Sequence, residues 1–313
     1  MSDASWLAAR RSGIGASEIA AVLGLSPYQS RYQLWADKAG LLPHEVAETE
    51  AMAAGKLLEP VIAEMVRRRR GWPVELNGQR ISWSPDHPWL FATLDAIAHD
   101  DQRGPGVLEL KAASAFAEGW DGDRPPLRYR LQVAQQMLAT GLRWGAVACF
   151  DGPTLGLKLW EVSWSDPLAA RIVQEGQAFW ALVEEARELV ARGQANSGRL
   201  RDLELALGPG ARDLAAVRRL HTEDSGDPVD LSEHMDLLRE WAVQQSLAGD
   251  ARKQALAAKA QAMVLAGSAN QIVADGRRVA RRTQKGAWRL NPDFRQRSYA
   301  LAISQANHRN PKS

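Results

Sequence analysis

The sequence has few of the features that mark secreted or membrane proteins. Cys149 is the only cysteine among 313 residues, so no disulfide can form within the chain. No apolar run approaches the roughly 18 residues that a membrane-spanning helix needs, and no signal peptide is recognisable. Hydrophobic residues make up 45% of the chain and charged residues 24%, which is typical of globular proteins. These features predict a cytosolic globular protein, with Cys149 buried in a strand of apolar neighbours.

Several signatures of common cofactor sites are missing as well. The 6 histidines show no zinc-ligand spacing, and none accompanies a nucleophile. The chain contains neither a Walker loop nor a dinucleotide-binding glycine fingerprint. These absences argue against a structural zinc site, a P-loop and a Rossmann-type dinucleotide site.

The net charge is only +2, but it is unevenly distributed. The segment 277–313 contains ten Lys or Arg residues and one acid, Asp293, so the rest of the chain is net acidic. A basic terminal segment on an acidic body favours contact with a polyanion. A solvated basic tail explains the same pattern equally well, and both interpretations stay open at this point.

The most informative chemistry lies in Asp95, Glu109 and Lys111. Residues i and i+2 of a strand share a face, so Glu109 and Lys111 are predicted to project together. Two carboxylates can hold a hard cation such as Mg²⁺, which activates water and neutralises charge at a phosphodiester. A lysine beside them stabilises the negative charge of the transition state. The pattern predicts a metal-dependent nuclease.

The apolar sequence around these residues decides how much weight the short motif carries. A bare Glu-x-Lys is usually a solvated charge pair on an exposed strand. Here the motif lies in Val107-Leu108-Glu109-Leu110-Lys111, after the turn signal Gly104-Pro105-Gly106. Asp95 lies within a second apolar run, 89–98, and a hairpin of the two runs would bring it to Glu109. The alternative for Asp95 is a hydrogen-bonded structural acid.

The order of apolar and polar residues predicts an α/β protein with the catalytic candidates on central strands. The predicted helices are 17–23, 31–39, 51–70, 128–140 and 167–192, and the predicted strand regions are 74–83, 89–98, 106–112, 145–150 and 157–164. Gly, Asn, Ser and Pro accumulate over 194–210, which indicates a change of organisation. Beyond it, 230–266 is predicted to form one or two long helices, and Asp275-Gly276 is predicted to be the turn of a hairpin over 272–280.

The N-terminal segment favours a phosphate site at the start of a helix. Gly13, Gly15 and Ala16 keep the backbone uncluttered, and Ser17 is predicted to cap the next helix. A helix N-terminus with a nearby arginine is suited to a phosphate, and Arg11 could replace Arg10 in this role. An ordinary capped helix after a glycine turn is the competing interpretation.

Taken together, these segments resemble the YqaJ-like viral recombinase family, the phage-lambda-type exonucleases of the PD-(D/E)XK nuclease superfamily. The resemblance covers about residues 6–165 and is most specific at the N-terminus. Leu94 stands before Asp95 where the family has proline, at a position that is not a ligand. The matching motifs occur in order as 13–28, Leu34-Trp35, Gly55-Lys56-Leu57-Leu58-Glu59-Pro60, Asp95, Glu109-Leu110-Lys111 and Tyr129-Arg130-Leu131-Gln132.

The resemblance implies a role for each matching residue of the metal site. Asp95 and Glu109 would bind the metal, with the Leu110 carbonyl as a third ligand. Lys111 would position water and stabilise the phosphorane. Glu59 would join the metal shell, directly or through water, or serve instead as a structural acid.

Further residues are implied to surround this centre. Gln132 would face the site from its helix, and the alternative is that it lies at the surface. A surface position also suits Gln135 and Gln136. Arg10 and Ser17 would grip a terminal 5′-phosphate, and Trp6 would contact DNA ends.

For the whole chain, the resemblance implies a restriction-endonuclease-like PD-(D/E)XK core over residues 1–195, with a central mixed β-sheet flanked by helices. Residues 211–313 would form a helical C-terminal region ending in a basic hairpin and tail. The implied activity is Mg²⁺-dependent 5′-to-3′ digestion of linear double-stranded DNA, with Mn²⁺ as a substitute metal. The 3′ overhangs would feed a single-strand annealing protein in phage-type recombination, and the enzyme would assemble as a homo-oligomer, such as a trimeric ring. An endonuclease of the same superfamily and a non-catalytic DNA-binding module are the alternatives.

Overall fold

The computed structural model describes residues 10–221, apart from 43–48, 79, 114–118 and 121, and short stretches between 232 and 291. The chain divides into two compact units, Met1–Glu223 and Asp224–Ser313. The first unit is built from helices and short strands, as the sequence predicts. Its helices are α1 (Ile19–Val22), α2 (Arg31–Lys38), α3 (Glu50–Arg70), α4 (Leu127–Thr140), α5 (Asp166–Ala191), α6 (Gly198–Ala206) and α7 (Leu214–Leu220). Its strands are β1 (Ile14–Gly15), β2 (Val74–Leu76), β3 (Ile81–Trp83), β4 (Leu90–Thr93), β5 (Ala96–Asp100), β6 (Gly104–Ala113), β7 (Trp144–Asp151) and β8 (Gly156–Ser163).

A five-stranded sheet forms the centre of this unit, in the order β2-β5-β6-β7-β8. The pair β6 and β7 is parallel, and the other neighbours are antiparallel, so the sheet is mixed. A second, three-stranded sheet has the order β1-β4-β3, and β1 runs parallel to β4. The predicted mixed sheet flanked by helices is confirmed, and β6 is its middle strand.

The alternation of side chains along β6 divides the core into two layers. Leu108 and Leu110 face α3 and pack in one apolar cluster with Ile62. Val107 faces the opposite side and packs in the cluster that includes residues of α4. Glu109 has the same parity as Val107, so it projects into the layer beneath α4. Sheet geometry therefore buries this acid among apolar side chains.

The C-terminal turn of α3 carries four consecutive arginines whose side chains go in different directions. Arg67 donates to the Val74 carbonyl, and Arg69 donates to the Leu157 carbonyl. Arg70 pairs with Glu161. The arginines thus fan around the helix axis, and these three tie α3 to the sheet.

The stretch 194–210, in which Gly, Asn, Ser and Pro accumulate, is not an irregular linker, because α6 forms within it. Ser197 caps this helix, accepting a hydrogen bond from the Leu200 amide at 3.3 Å. Leu200 and Leu203 are one turn apart and both are buried. Their packing outweighs the loop-like composition, and the first compact unit continues to Glu223.

The second unit contains a three-stranded antiparallel sheet in the order β11-β10-β9. Its strands are β9 (Gln271–Ala274), β10 (Arg277–Arg282) and β11 (Trp288–Leu290). The antiparallel pairing of β9 with β10 confirms the predicted hairpin, and β11 is an additional strand. The long helices predicted over 230–266 fall largely outside the described residues. Within the described part of the chain, no helix combines the length and the apolar character needed to span a membrane.

Candidate active site

Asp95 lies where the chain leaves one sheet and enters the other. Ala96 pairs with Leu108, and extending this register by one residue places Asp95 beside Glu109. Oδ2 of Asp95 accepts the Leu110 amide at 2.9 Å and lies 3.3 Å from Nζ of Lys111. The predicted hairpin brings the acid to Glu109, but the strand region predicted over 89–98 consists of two strands, β4 and β5. Leu94 and Asp95 interrupt it, because β4 pairs in one sheet and β5 in the other.

Glu109 is completely buried, and its carboxylate is held by two glutamines of α4. Nε2 of Gln132 donates to Oε1 at 2.6 Å, and Nε2 of Gln136 donates to Oε2 at 2.6 Å. Lys111 forms an ion pair with the same Oε1. Each carboxylate oxygen therefore has an amide donor, which fixes the orientation of the group.

The alternative of surface glutamines at 135 and 136 is wrong, since both side chains are 0% exposed. Gln136 is one helical turn beyond Gln132, so the same face of α4 presents both amides to β6. This spacing was the available signal for Gln136. What the sequence does not show is that β6 would supply the buried acceptor.

The electrostatics of this group follow from burial and close charges. Burial, and then the negative charge of Asp95, raise the pKa of Glu109 to about 7, although Lys111 and Gln136 act in the opposite direction. Burial lowers the pKa of Lys111, but the attraction of Asp95 and Glu109 outweighs it and the net shift is upward. Lys111 is therefore a permanent cation between two acids.

The donor set fits a hard divalent cation. Two adjacent carboxylates, one of them buried and reluctant to ionise, would be stabilised by a positive ion bound between them. Among the described residues, no group of three or more His, Cys, Asp or Glu side chains is gathered closely enough to hold a metal. Asp95 and Glu109 would therefore hold the ion together with backbone or water oxygens.

Glu59 of α3 does not form a three-acid cluster with this pair among the described residues. Burial, and next the negative charge of Asp95, raise the pKa of Glu59. Glu59 thus lies within the electrostatic reach of Asp95, which suits a contact through water better than direct ligation.

Aromatic side chains continue outward from the lysine. Nζ of Lys111 lies 5.8 Å from the centre of the Tyr129 ring, which stacks on Trp120 at 5.0 Å between centroids. Trp120 in turn contacts Trp160 at 5.8 Å. Both tryptophans line an open depression of about 350 Å³, which Arg69 also borders. Tyr129 and Trp160 are half-buried, whereas Trp120 is buried between them.

Glu18 is the centre of a separate polar cluster at the N-terminal segment. Its Oε1 lies 3.3 Å from a guanidinium nitrogen of Arg10. Its Oε2 accepts the Gly15 amide at 2.7 Å and pairs with Lys38 at 2.8 Å. Lys38, only 2% exposed, also donates to the Arg10 carbonyl at 2.7 Å. This cluster fixes both the backbone and the side chain of Arg10.

A second, half-buried cation contacts the same segment from α5. Nε of Arg187 donates to the Lys38 carbonyl at 2.9 Å, and its guanidinium also donates to the Arg11 carbonyl. Sequence reasoning missed Glu18, Lys38 and Arg187 as parts of this cluster. The acid three residues after Gly15 is a recognisable capping pattern, but nothing in the sequence marks Lys38 or Arg187.

The prediction that Ser17 caps the helix is wrong. Gly15 occupies the N-cap position of the short 3₁₀ turn Ala16–Glu18, and the Glu18 carboxylate accepts its amide. Ser17 lies inside this turn with an exposed side chain. Gly13 is required by close packing, because a Cβ there would lie 2.6 Å from the Trp89 carbonyl oxygen. Trp6 lies outside the described residues.

Gln135 connects the N-terminal segment to the helix that holds Glu109. Its Nε2 donates to the Ile14 carbonyl at 2.8 Å and to the Phe91 carbonyl at 3.1 Å. Ile14 belongs to β1 and Phe91 to β4. One turn of α4 thus contacts both the candidate metal site and the strand that leads to the Glu18 cluster.

Part of this chain is similar in sequence to known proteins. Residues 5–143 match the YqaJ-like viral recombinase domain. The uncharacterized protein YqaJ of Bacillus subtilis (strain 168) is 31% identical over 142 residues, which cover 45% of this chain and 43% of that protein. The chain therefore matches less than half the length of this relative.

Two solved structures of one protein share the fold. The alkaline exonuclease LHK-Exo from Laribacter hongkongensis is 25% identical, with a TM-score of 0.52, and the match covers 62% of this chain and 98% of that chain. The same exonuclease in complex with dAMP gives 24% identity and a TM-score of 0.53 over the same shares. The mixed sheet with helices on both faces is thus a PD-(D/E)XK-type fold, as the resemblance implied. Residues 5–143 of the chain are similar to the YqaJ-like viral recombinase domain.

Proposed function

We propose that this chain is a Mg²⁺-dependent exonuclease that degrades one strand of linear double-stranded DNA from its 5′ end. The 3′ single-stranded overhangs would serve phage-type homologous recombination in the bacterial cytoplasm. A single-strand annealing protein would take up the overhangs, and the enzyme would act as a homo-oligomer, such as a trimeric ring around DNA. The YqaJ-like domain and the alkaline exonuclease fold support the nuclease class of this proposal.

The observation that carries the proposal is the grouping of Asp95, Glu109 and Lys111 around one point. A buried carboxylate with two amide donors is expensive to maintain, since a simple apolar core would be at least as stable. Lys111 is 27% exposed and Asp95 is 20% exposed, so the point is open to a ligand. An acid pair of this kind, together with a fixed cation, suits hydrolysis of a phosphodiester.

Each side chain then has a chemical task. When bound, Mg²⁺ would supply charge neutralisation and a more acidic water. Asp95 and Glu109 would hold the ion, with the Leu110 carbonyl as a further ligand and Glu59 acting through water. Gln132 and Gln136 keep Glu109 in one orientation. Lys111 would place positive charge against the non-bridging oxygens of the scissile phosphate as negative charge accumulates there.

The proposed 5′-to-3′ direction of digestion rests on the N-terminal cluster around Glu18. Arg10 is 30% exposed and its position is fixed by Glu18 and Lys38, so its guanidinium can meet a terminal phosphate without reorganising. Ser17 adds an exposed hydroxyl on the adjoining turn, and Trp6 would contact the DNA end. LHK-Exo has been crystallised with dAMP, a mononucleotide, which is the kind of product that stepwise digestion releases.

Linear duplexes labelled at either the 5′ or the 3′ end test the proposal, incubated with and without Mg²⁺. The expected result is early release of the 5′ label as a mononucleotide, only with metal, and gradual shortening of strands that keep the 3′ label. Release that begins at the 3′ end would overturn the polarity. Absence of any cleavage with Mg²⁺ or Mn²⁺ would leave a non-catalytic DNA-binding module as the better description.

An endonuclease of the same fold is the second candidate, because the same acids and lysine could act on an internal phosphate. Covalently closed circular DNA separates the two. Resistance of the circle, with digestion after a single linearising cut, is expected of an exonuclease. Digestion of the intact circle would favour the endonuclease.

A further inference from the structure

The sheet of the second unit places two arginines directly opposite each other. Arg281 of β10 pairs in register with Arg289 of β11, and on its other side it pairs with Gln271 of β9. All three residues are exposed, whereas Ala280, the neighbour of Arg281, is buried. Cross-strand partners share one face of a sheet, so these side chains form a row, the Gln271–Arg281–Arg289 row.

This arrangement is unfavourable for an isolated sheet. Like charges directly opposite each other on neighbouring strands destabilise the pairing. Among the residues that the structure describes, neither arginine has a carboxylate partner. A row of this kind is stabilised when an anion bridges the two guanidinium groups, each of which can donate two parallel hydrogen bonds.

The surrounding sequence indicates which anion. The segment 277–313 contains ten basic residues and a single acid, so the row lies within the most basic part of the chain. This segment lies beyond residues 5–143 that match the YqaJ-like domain, so the row is additional to that domain. A polyanion with regularly repeated phosphates matches both the local pair and the wider excess of positive charge.

We infer that the Gln271–Arg281–Arg289 row binds the sugar-phosphate backbone of DNA, independently of base sequence and in addition to the candidate active site. The inference rests on the proposed function in one respect, namely that DNA is the substrate. It assigns to the second unit the task of holding duplex DNA while the first unit cleaves it.

The test measures the binding of the full-length protein to a fluorescein-labelled duplex in EDTA, over a range of NaCl concentrations. The variants are Arg281→Gln, Arg289→Gln and the double substitution. Each lost phosphate contact is expected to reduce the slope of log K against log [salt] by about 0.9 for duplex DNA. The double variant should lose about twice as much, and the corresponding Arg→Lys variants should keep most of the slope.

Arg252→Gln is the matched control, since it removes one exposed positive charge elsewhere in the same unit. Its slope is expected to stay close to that of the wild type. Thermal unfolding is measured alongside, and Arg281→Gln should unfold at the same or a higher temperature because a like-charge contact is removed. A loss of affinity without a loss of stability is the signature of a binding role.

Two outcomes would overturn the inference. An unchanged salt slope in the double variant would mean that the row does not touch DNA, and an acidic protein partner would then be the better occupant. An equal loss of salt slope in Arg252→Gln would mean that the row contributes only through the net charge of the protein and not through a specific contact with DNA. The end-label assay decides the nuclease proposal separately, since binding in EDTA does not depend on cleavage.

Discussion

Nε2 of Gln136 lies 2.6 Å from Oε2 of Glu109, in a part of the core that solvent does not reach. The companion bond from Gln132 to Oε1 leaves each oxygen of this carboxylate with one amide donor. The charged form of Glu109 thus depends on α4 as much as on Lys111.

Gln136→Leu should weaken metal binding with little change in the shape of the site. The substitution removes the donor to Oε2 and favours the protonated form of Glu109, and loss of a group that orients a ligand typically costs about 10–100-fold in metal affinity. The Mg²⁺ concentration for half-maximal cleavage should rise accordingly. Gln135→Leu removes an equally buried amide of α4 that does not touch Glu109, so it should lower stability but leave the Mg²⁺ dependence unchanged.

Glu109→Gln and Asp95→Asn should each lower the cleavage rate by about 1,000-fold or more, while DNA binding persists. Lys111→Ala should lose about 100- to 1,000-fold, because the acids remain but the fixed positive charge is gone. Single-turnover cleavage of an end-labelled duplex and anisotropy in EDTA measure the two properties. Asp202→Asn, an exposed acid of α6, serves as the control. Near-normal turnover in any of the three variants would contradict the assignment of these residues to the active site.

Stabilisation by Mg²⁺ should depend on pH through Glu109. The pKa of Glu109 is raised from 4.5 to about 7, so the metal-free native state binds more protons than the unfolded state between these values. This contribution to stability is present below the unfolded pKa and is lost as pH rises through the folded pKa. Metal binding needs the ionised carboxylate, so the Mg²⁺-induced rise in melting temperature should be larger at about pH 8 than at about pH 5.5. Glu109→Gln should lose this difference, and an equal rise at both pH values in the wild type would contradict the assignment.

A linear duplex with a 5′-phosphate should be degraded faster than its 5′-hydroxyl counterpart. A charge-assisted contact with Arg10 contributes about 1.5–3 kcal/mol, which corresponds to roughly one to two decades in rate. Arg10→Ala should remove most of this preference and keep the basal rate on hydroxyl ends. Arg192→Ala should retain the preference, because Arg192 is an exposed arginine at the C-cap of α5 that pairs with Glu188. Equal rates on the 5′-phosphate and 5′-hydroxyl duplexes in the wild type would contradict the proposed phosphate pocket.

Cys149 should resist alkylation in the native state. Its side chain is fully buried in β7, and burial raises the pKa of the thiol to about 11. The reactive thiolate is therefore scarce at neutral pH as well as inaccessible. Reaction with a thiol reagent should be slow in buffer and complete in denaturant, with one equivalent consumed. Fast native-state labelling would contradict the placement of β7 inside the sheet.

The sequence was sufficient to predict the features that depend on the local order of apolar and polar residues. Alternation along Val107–Lys111 identified β6 and the shared face of Glu109 and Lys111, and the apolar run containing Asp95 identified its partner. The break at Leu94 and Asp95 could not be read from the sequence, because both halves of the run are apolar and only the pairing of β4 and β5 in different sheets separates them.

Features that depend on distant partners escaped prediction. Glutamine is usually a surface residue, so Gln135 and Gln136 were expected at the surface. They are buried because β1, β4 and β6 provide hydrogen-bond acceptors for their side-chain amides. Ser17 was expected to cap a helix, yet Glu18 accepts the Gly15 amide instead. The helix α6 formed within a loop-like composition because Leu200 and Leu203 find an apolar surface.

The pairing of β1 with β4 joins Ile14 to Leu90, two residues far apart in the chain, whereas Asp95, Glu109 and the glutamines of α4 follow one another closely. Closing a long loop costs more chain entropy than forming a hairpin, so contacts of low sequence separation form more readily. The acid pair can therefore assemble with the β5–β6 hairpin and α4 before the N-terminal segment docks. In this order of assembly the two carboxylates come together first, and the proposed contact of Arg10 with a terminal phosphate forms only when the N-terminal segment docks.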